Sequence, residues 1–205
     1  MMYSKFRVKK SIICFQRILF MPDFALSLEK VSDEELMALY CHQKERAAFE
    51  ELFRRYGGRL QGYFSRVTGS PELARDMVQQ TFMHVHRARA DFRHGAPFRP
   101  WFYTIGHNIR REHFRRQKRK PEVIYDPERH GEPRTSPDVS SATDRAVRRA
   151  LQQLSESQRE VVVLHWYEGL TFREIGAVVG ASTSAVKVRA HRAYKKLRET
   201  LQEDG

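Results

Sequence analysis

Two stretches of this chain carry residues whose types and spacing could do chemistry, and in both the chemistry is the holding of a polyanion. Near the C-terminus, Ser182, Thr183 and Ser184 are followed by Lys187, Arg189 and Arg192. Small hydroxyl side chains at the start of a helix can reach base edges, and cations along its outer face can hold phosphates. Between Arg87 and Lys120 stand eleven basic residues, opposed only by Asp91 and Glu112. Phe92, Phe98, Trp101, Phe102, Tyr103 and Phe114 are interleaved with them. A positive groove bearing aromatic side chains is what single-stranded nucleic acid requires. Nine histidines invite a metal enzyme, but His84 with His86 and His107 with His113 lack the i, i+4 spacing that puts two ligands on one helix face. No acidic cluster stands beside them for a hard divalent cation, and no catalytic residue, metal or cofactor is expected.

Bulk properties point the same way. The chain has 37 Lys+Arg against 25 Asp+Glu, a formal charge of +12. That excess favours a salt-dependent partnership with nucleic acid. Cys14 and Cys41 are too few and too far apart for a disulfide framework or a zinc site, which suits a reducing cytoplasm.

The elements that must position these residues read as helices. Thr171 and Glu174 form a capping box that starts a helix running to about Val179, where Gly180 can take the positive φ that ends it. Ser182 caps a second helix to roughly Leu201, giving a helix-turn-helix. Phe172, Ile175, Val178, Val179, Val186, Ala190, Ala193 and Leu197 lie at helical spacing and can share a core. Upstream, Ser32 and Glu35 form another capping box, and Phe49, Phe53, Tyr56, Leu60, Tyr63, Phe64 and Val67 mark a long amphipathic helix. Ser70-Pro71 opens a helix striped by Leu73, Met77, Val78, Phe82 and Val85. After a loop at about Arg93–Pro97, a further helix runs from about Arg99 to Lys118. Pro121, Pro127, Pro133, Pro137 and Gly131 then mark an extended linker. Helical periodicity resumes at Ala146, and a capping box of Ser155 and Gln158 opens the run Val161–Tyr167. The expected fold is all-α: two small helical domains, 32–118 and 143–205, joined by a linker over 119–142.

The segments DEELMALY (33–40), ERAAFEELFRRYGGRL (45–60), ELARDMVQQTFMHVHRA (72–88), FRPWFYTIGHNIRREHFRR (98–116) and the run from Leu154 to Leu201 together resemble the extracytoplasmic-function (ECF) group of sigma-70-type RNA polymerase sigma factors. The resemblance makes the two modules sigma domain two and sigma domain four. It implies that Asp76, Gln79, Gln80 and Phe82 dock on core RNA polymerase. It places Phe92, Arg93, Phe98, Arg99, Asn108, Arg111 and Arg115 at the melted minus-ten element; Trp101, Phe102 and Ile105, which share one helical face, are expected in the core. Ser182, Thr183, Ser184, Lys187, Arg189 and Arg192 would read the minus-thirty-five element as duplex. Ser184, Ala185, Val188 and Ala190 depart from the family's common residues, which leaves the preferred promoter open. The implied partners are bacterial core polymerase, promoter DNA and an anti-sigma factor, the implied site is the cytoplasm and nucleoid, and the linker would thread the polymerase cleft.

A stand-alone helix-turn-helix regulator, binding duplex DNA without polymerase, is the rival reading. It gives the basic aromatic segment no task. The first twenty residues, basic and then apolar from Ile12 to Phe20, are interrupted by Gln16 and Arg17 and are too short to span a membrane. Met21 is the expected natural start, with residues 1–31 read as an N-terminal extension that is disordered or not native.

Overall fold

The computed structural model describes residues 28–93, 95–119 and 142–203, and these form helices joined by short turns and loops, with no strand among them. Residues 1–27 and the linker from 120 to 141 lie outside the described residues, and with them the expectations for a start at Met21 and for the linker's path; the part of the expected extension that is described, 28–31, is instead built into the fold, with Leu28 and Val31 buried in the core.

The first module has four helices: α1 (Asp33–Gln43), α2 (Arg46–Thr68), α3 (Pro71–Arg87) and α4 (Phe98–Arg119), with a 3-10 turn at Ala88–Asp91 before the last. The Ser32–Glu35 capping box forms as expected, Glu35 N–H donating to Ser32 Oγ at 3.3 Å and Ser32 N–H to Glu35 Oε2 at 3.2 Å. Ser70 Oγ accepts from Leu73 N–H at 3.2 Å, ahead of Pro71 at the first helical position. The start of α4 is held from a distance: Phe98 N–H donates to Glu34 Oε1 of α1 at 2.9 Å. That bond satisfies one of the four free amides at a helix start and sets a negative charge against its positive dipole end. The core behind these helices is aromatic. Tyr56 lies 5.3 Å from Phe98 and 5.2 Å from Phe102, Phe82 lies 5.4 Å from Phe102, and Tyr63 lies 5.7 Å from Tyr103, at the tilted or edge-on angles aromatic rings favour.

The second module also has four: α5 (Ala142–Gln152), α6 (Glu156–Val162), α7 (Phe172–Val179) and α8 (Thr183–Glu203). The run expected through Tyr167 is one helix in space but not in pitch, because Val163–Tyr167 is wound as a π turn. Glu168 N–H reaches back five residues to Val163 O at 3.2 Å. This wider turn leaves Trp166 70% exposed while Glu168, two residues on, is buried. Nothing in the apolar spacing marks such a turn, since one inserted residue shifts the pattern no more than a helix end does.

The modules do not keep separate cores. Leu60, Tyr63, Phe64 and Phe102 belong to the same continuous apolar cluster as Val163, Leu164, Leu170 and Ile175. Helix α7 lies along α4, and α6 with its π turn lies against α2. A smaller cluster of Leu151, Leu154, Val162 and Ala193 closes the far side of the second module.

Candidate nucleic-acid interface

The helix-turn-helix is built as its capping residues dictate. Thr171 Oγ1 accepts from Glu174 N–H at 3.3 Å, and Glu174 Oε2 accepts from Thr171 N–H at 2.8 Å. The Thr171 bonds hold the Glu174 carboxyl below its usual range against the opposing effect of burial. Gly180 ends α7 at φ +65°, in the left-handed region where a side chain is strained. Ser182 Oγ then accepts from Ala185 N–H at 3.2 Å, opening α8. Ile175, Val178, Val186, Ala190 and Ala193 are buried, which aims the opposite side of α8 outward. Ser182, Thr183, Ser184, Lys187 and Arg192 are exposed, and Arg189 is half-buried. Val188, apolar yet 50% exposed, shares that outer side.

Gly176 is a residue the spacing did not single out. A Cβ there would stand 2.7 Å from the backbone oxygen of Ala181, so α7 and the turn approach closely only because the side chain is a hydrogen. The Ala181 N–H donates to Gly176 O at 2.9 Å across the same junction.

On α4 the expected minus-ten residues divide. Arg93, Asn108, Arg111 and Arg115 are exposed, Arg115 being paired with Glu112. Phe92 and Phe98 are not: both are buried, 5.0 Å and 6.1 Å from the Trp101 ring, so in this conformation neither offers a face on which a base could stack. Burial wins because each ring covers the end of the aromatic core, and exposing it would forfeit roughly 1.5–3 kcal/mol. Arg99 is half-buried and its Nε has no hydrogen-bond partner. Arg110, counted among the cations of the segment, is turned inward to Glu160 of α6. Phe102 is buried as expected, while Trp101 and Ile105 are half-buried against the same core.

A second surface lies on α2 and α3. Asp76, Gln79 and Gln80 are exposed, whereas Phe82 is only 6% exposed and packs on Phe53 at 4.8 Å. Beside them runs an apolar groove of about 650 Å³ lined by Phe53, Val78, Gln79, Phe82 and Met83. Phe53 and Met83 are 52% and 45% exposed, large apolar groups left open to water. Periodicity places Phe53 on the apolar face of α2 but does not say that its neighbour helix leaves it uncovered. No helix among the described residues is long and apolar enough to cross a membrane.

Comparison with known proteins is consistent with this geometry. The family model described as Sigma-70 region 2 matches residues 52–120, and that described as Sigma-70, region 4 matches residues 150–199. The chain is 41% identical over 160 residues to RNA polymerase sigma factor CarQ of Myxococcus xanthus, covering 76% of this chain and 90% of that one. It is 33% identical over 165 residues to ECF RNA polymerase sigma factor SigL of Mycobacterium tuberculosis, covering 78% and 93%. Among solved structures, that of CnrH in complex with the cytosolic domain of CnrY is 31% identical, with a TM-score of 0.64, covering 84% of this chain and 99% of that one.

Proposed function

Because the chain belongs to the ECF group of sigma-70-type RNA polymerase sigma factors, and so directs core polymerase in transcription initiation, we propose how its own surfaces divide that work. The observation that carries the proposal is the pairing of two open surfaces on one chain in the matched order. The first is the α2/α3 groove and the second the cationic side of α8.

The groove flanked by Asp76, Gln79 and Gln80 takes a helical element of core polymerase. Apolar side chains exposed in a groove with a polar rim suit a protein partner better than a nucleic acid. Phe82 contributes from below, supporting Phe53 and offering one edge. Arg93, Asn108, Arg111 and Arg115 line the path of the melted minus-ten strand, holding phosphates and base edges. The Phe92 and Phe98 rings shape the loop that precedes α4, and would meet a base only if that loop opens.

Helix α8 enters the major groove at the minus-thirty-five element. Ser182, Thr183 and Ser184 stand at its N-terminal end, where base edges and phosphates are met. Lys187, Arg189 and Arg192 hold phosphates or guanine edges, and the exposed Val188 suits a thymine methyl group. No side chain takes a covalent or acid–base role, and RNA synthesis is left to the polymerase. The work is done in the cytoplasm, at the nucleoid, and an anti-sigma factor is the expected inhibitor.

Reconstitution tests this. Purified chain, sigma-free bacterial core polymerase and a promoter library should yield transcripts from sites sharing two spaced motifs, only when the chain is present. Specific duplex binding without any association with core would instead establish the stand-alone regulator.

A further inference from the structure

Along the outward side of α8 stands a side chain to which the reading above gives no task. Val186, Ala190 and Ala193 are buried and fix which way the helix faces. At about 100° per residue, the opposite direction is taken by Ser184, Val188, His191 and Lys195, and all of them are exposed. Lys187 and Arg192, also exposed, lie about 70° to either side of that line. Arg189 is turned roughly 130° from it, which is why it is half-buried. Lys195 is drawn to Glu199, its Nζ 4.0 Å from Oε1. His191 has no hydrogen bond, ion pair or ring contact among the described residues, so its imidazole is free for a partner.

Helix and groove dimensions divide these side chains. An α-helix with its side chains is about 10–12 Å across and the major groove about 12 Å wide. A helix seated there puts its middle line on base edges and its flanks on the two phosphate backbones. Lys187 and Arg192 are the flanks, one for each backbone. Ser184, Val188 and His191 are the middle line, and the rise from Ser184 to His191 is roughly 10 Å at about 1.5 Å per residue. Recognition helices meet about three successive bases over such a length. The side chains of that line differ in what they can tell apart. A serine hydroxyl donates or accepts and serves any base, and a valine meets only the methyl group of thymine. The imidazole carries N–H on one ring nitrogen in either tautomer, and it can donate to N7, which in the major groove only purines present.

We propose that His191 is a specificity-determining residue of the minus-thirty-five contact, donating to N7 of a purine, while Lys187 and Arg192 hold the phosphates on either side. This rests on the sigma-factor reading above. It separates roles on α8 that charge alone would merge: the flanking cations supply affinity, and the middle line supplies sequence.

The test uses holoenzyme reconstituted from core polymerase and the full chain, in wild-type form and as His191→Ala, His191→Gln and Arg192→Ala. Each is given a promoter library randomised in the upstream element, and the bound sequences are counted base by base. Binding to the best wild-type promoter is then titrated with salt, and helicity is compared. His191→Ala should lose about three- to tenfold of the preference for purine at one position, keep its preferences elsewhere, and leave the logarithmic salt slope unchanged. His191→Gln should turn the same position toward adenine, whose N6 and N7 a carboxamide meets together. Arg192→Ala should do the reverse of His191→Ala, weakening all sequences alike and flattening the slope by about 0.9. A His191→Ala variant with every base preference intact would overturn the assignment. So would a uniform loss with a flattened slope, which marks a phosphate contact. Should His191→Ala lose helicity, His191→Gln decides, and the wild-type preference at that position would overturn the assignment. Failure of the wild-type holoenzyme to select any promoter would instead sink the sigma-factor reading. The same base counts, made with duplex DNA and the chain alone, then decide His191 separately.

Discussion

Among single residues, Arg55 shows how much one side chain can organise. Its Nη1 donates to Val31 O at 2.9 Å and to Asp33 Oδ1 at 2.8 Å, its Nη2 to Leu28 O and Glu29 O at 2.9 Å each, and its Nε to Glu51 Oε1 at 2.6 Å. It thereby ties the segment before α1, and the start of α1, to α2. Arg55→Ala should cost about 2–4 kcal/mol, since several acceptors lose a charged donor at once, and a lower urea midpoint at constant slope would report it. Lys187 and Arg192 make the opposite case: both are exposed and, among the described residues, hold nothing in the fold. Replacing both with Ala should leave stability within about 0.5 kcal/mol of wild type in urea unfolding. It should weaken minus-thirty-five duplex binding and flatten its logarithmic salt slope by about 0.9 for each phosphate that is no longer neutralised. An unchanged salt slope would mean that the cations of α8 are simply solvated.

At the scale of elements, the turn between α7 and α8 is the most constrained part of the site. Its geometry depends on a cap at each end and on the bare backbone of Gly176 between them. Gly176→Ala would normally help a helix, by about 0.5–1 kcal/mol. Here the added methyl meets the Ala181 carbonyl oxygen at 2.7 Å, so backbone must move. The expected outcome is a net loss of about 1–3 kcal/mol in thermal or urea unfolding, with a larger relative loss of duplex binding because α8 is re-aimed. A stabilised variant with full binding would show that the turn has slack. Helix α4 illustrates a different constraint. The basic run predicts that its cations face DNA together, but Arg110 is bound to Glu160 and Arg99 is enclosed. Only Arg93 in the preceding loop, with Arg111 and Arg115 on the helix, remain outward among the assigned arginines.

Across the whole molecule, the polar interface between modules gives closure a pH dependence. Burial raises the Glu160 carboxyl, but the His107 hydrogen bond and the Arg110 charge outweigh it and leave it below the usual carboxylate range. A carboxyl lowered in the closed state contributes stability fully above its ordinary value of about 4.3, and loses it as pH falls through the lowered value. Scattering at stepwise lower pH should therefore show expansion only below about 4.3, with Glu160→Gln flattening that dependence. The Tyr63 and Tyr103 hydroxyls, pushed far up by burial and then by the neighbouring carboxylates, remain donors throughout the physiological range. Net charge acts on a longer scale: a chain of +12 is drawn to DNA, and salt tunes that encounter.

The sequence by itself determined the elements, because capping, glycine termination and apolar spacing are local. The boxes Ser32–Glu35, Ser155–Gln158 and Thr171–Glu174 each open a helix, Gly180 closes α7, and Ser182 opens α8 with its cations outward. The five ordered segments likewise carried the family, since side-chain identity at fixed spacing needs no coordinates. What only the tertiary structure decided is which buried face meets which. Periodicity says that Tyr63, Phe102 and the α7 stripe are buried, and nothing about against what. It therefore could not reveal the joined core, the burial of Phe92 and Phe98, or the opening left beside Phe53 and Met83. Nor could it show that Glu160 on α6 and Glu168 after the π turn, both acidic, find their donors about 50 to 110 positions away. Pairing over such separations is set by how helices pack, and a local pattern carries no record of it.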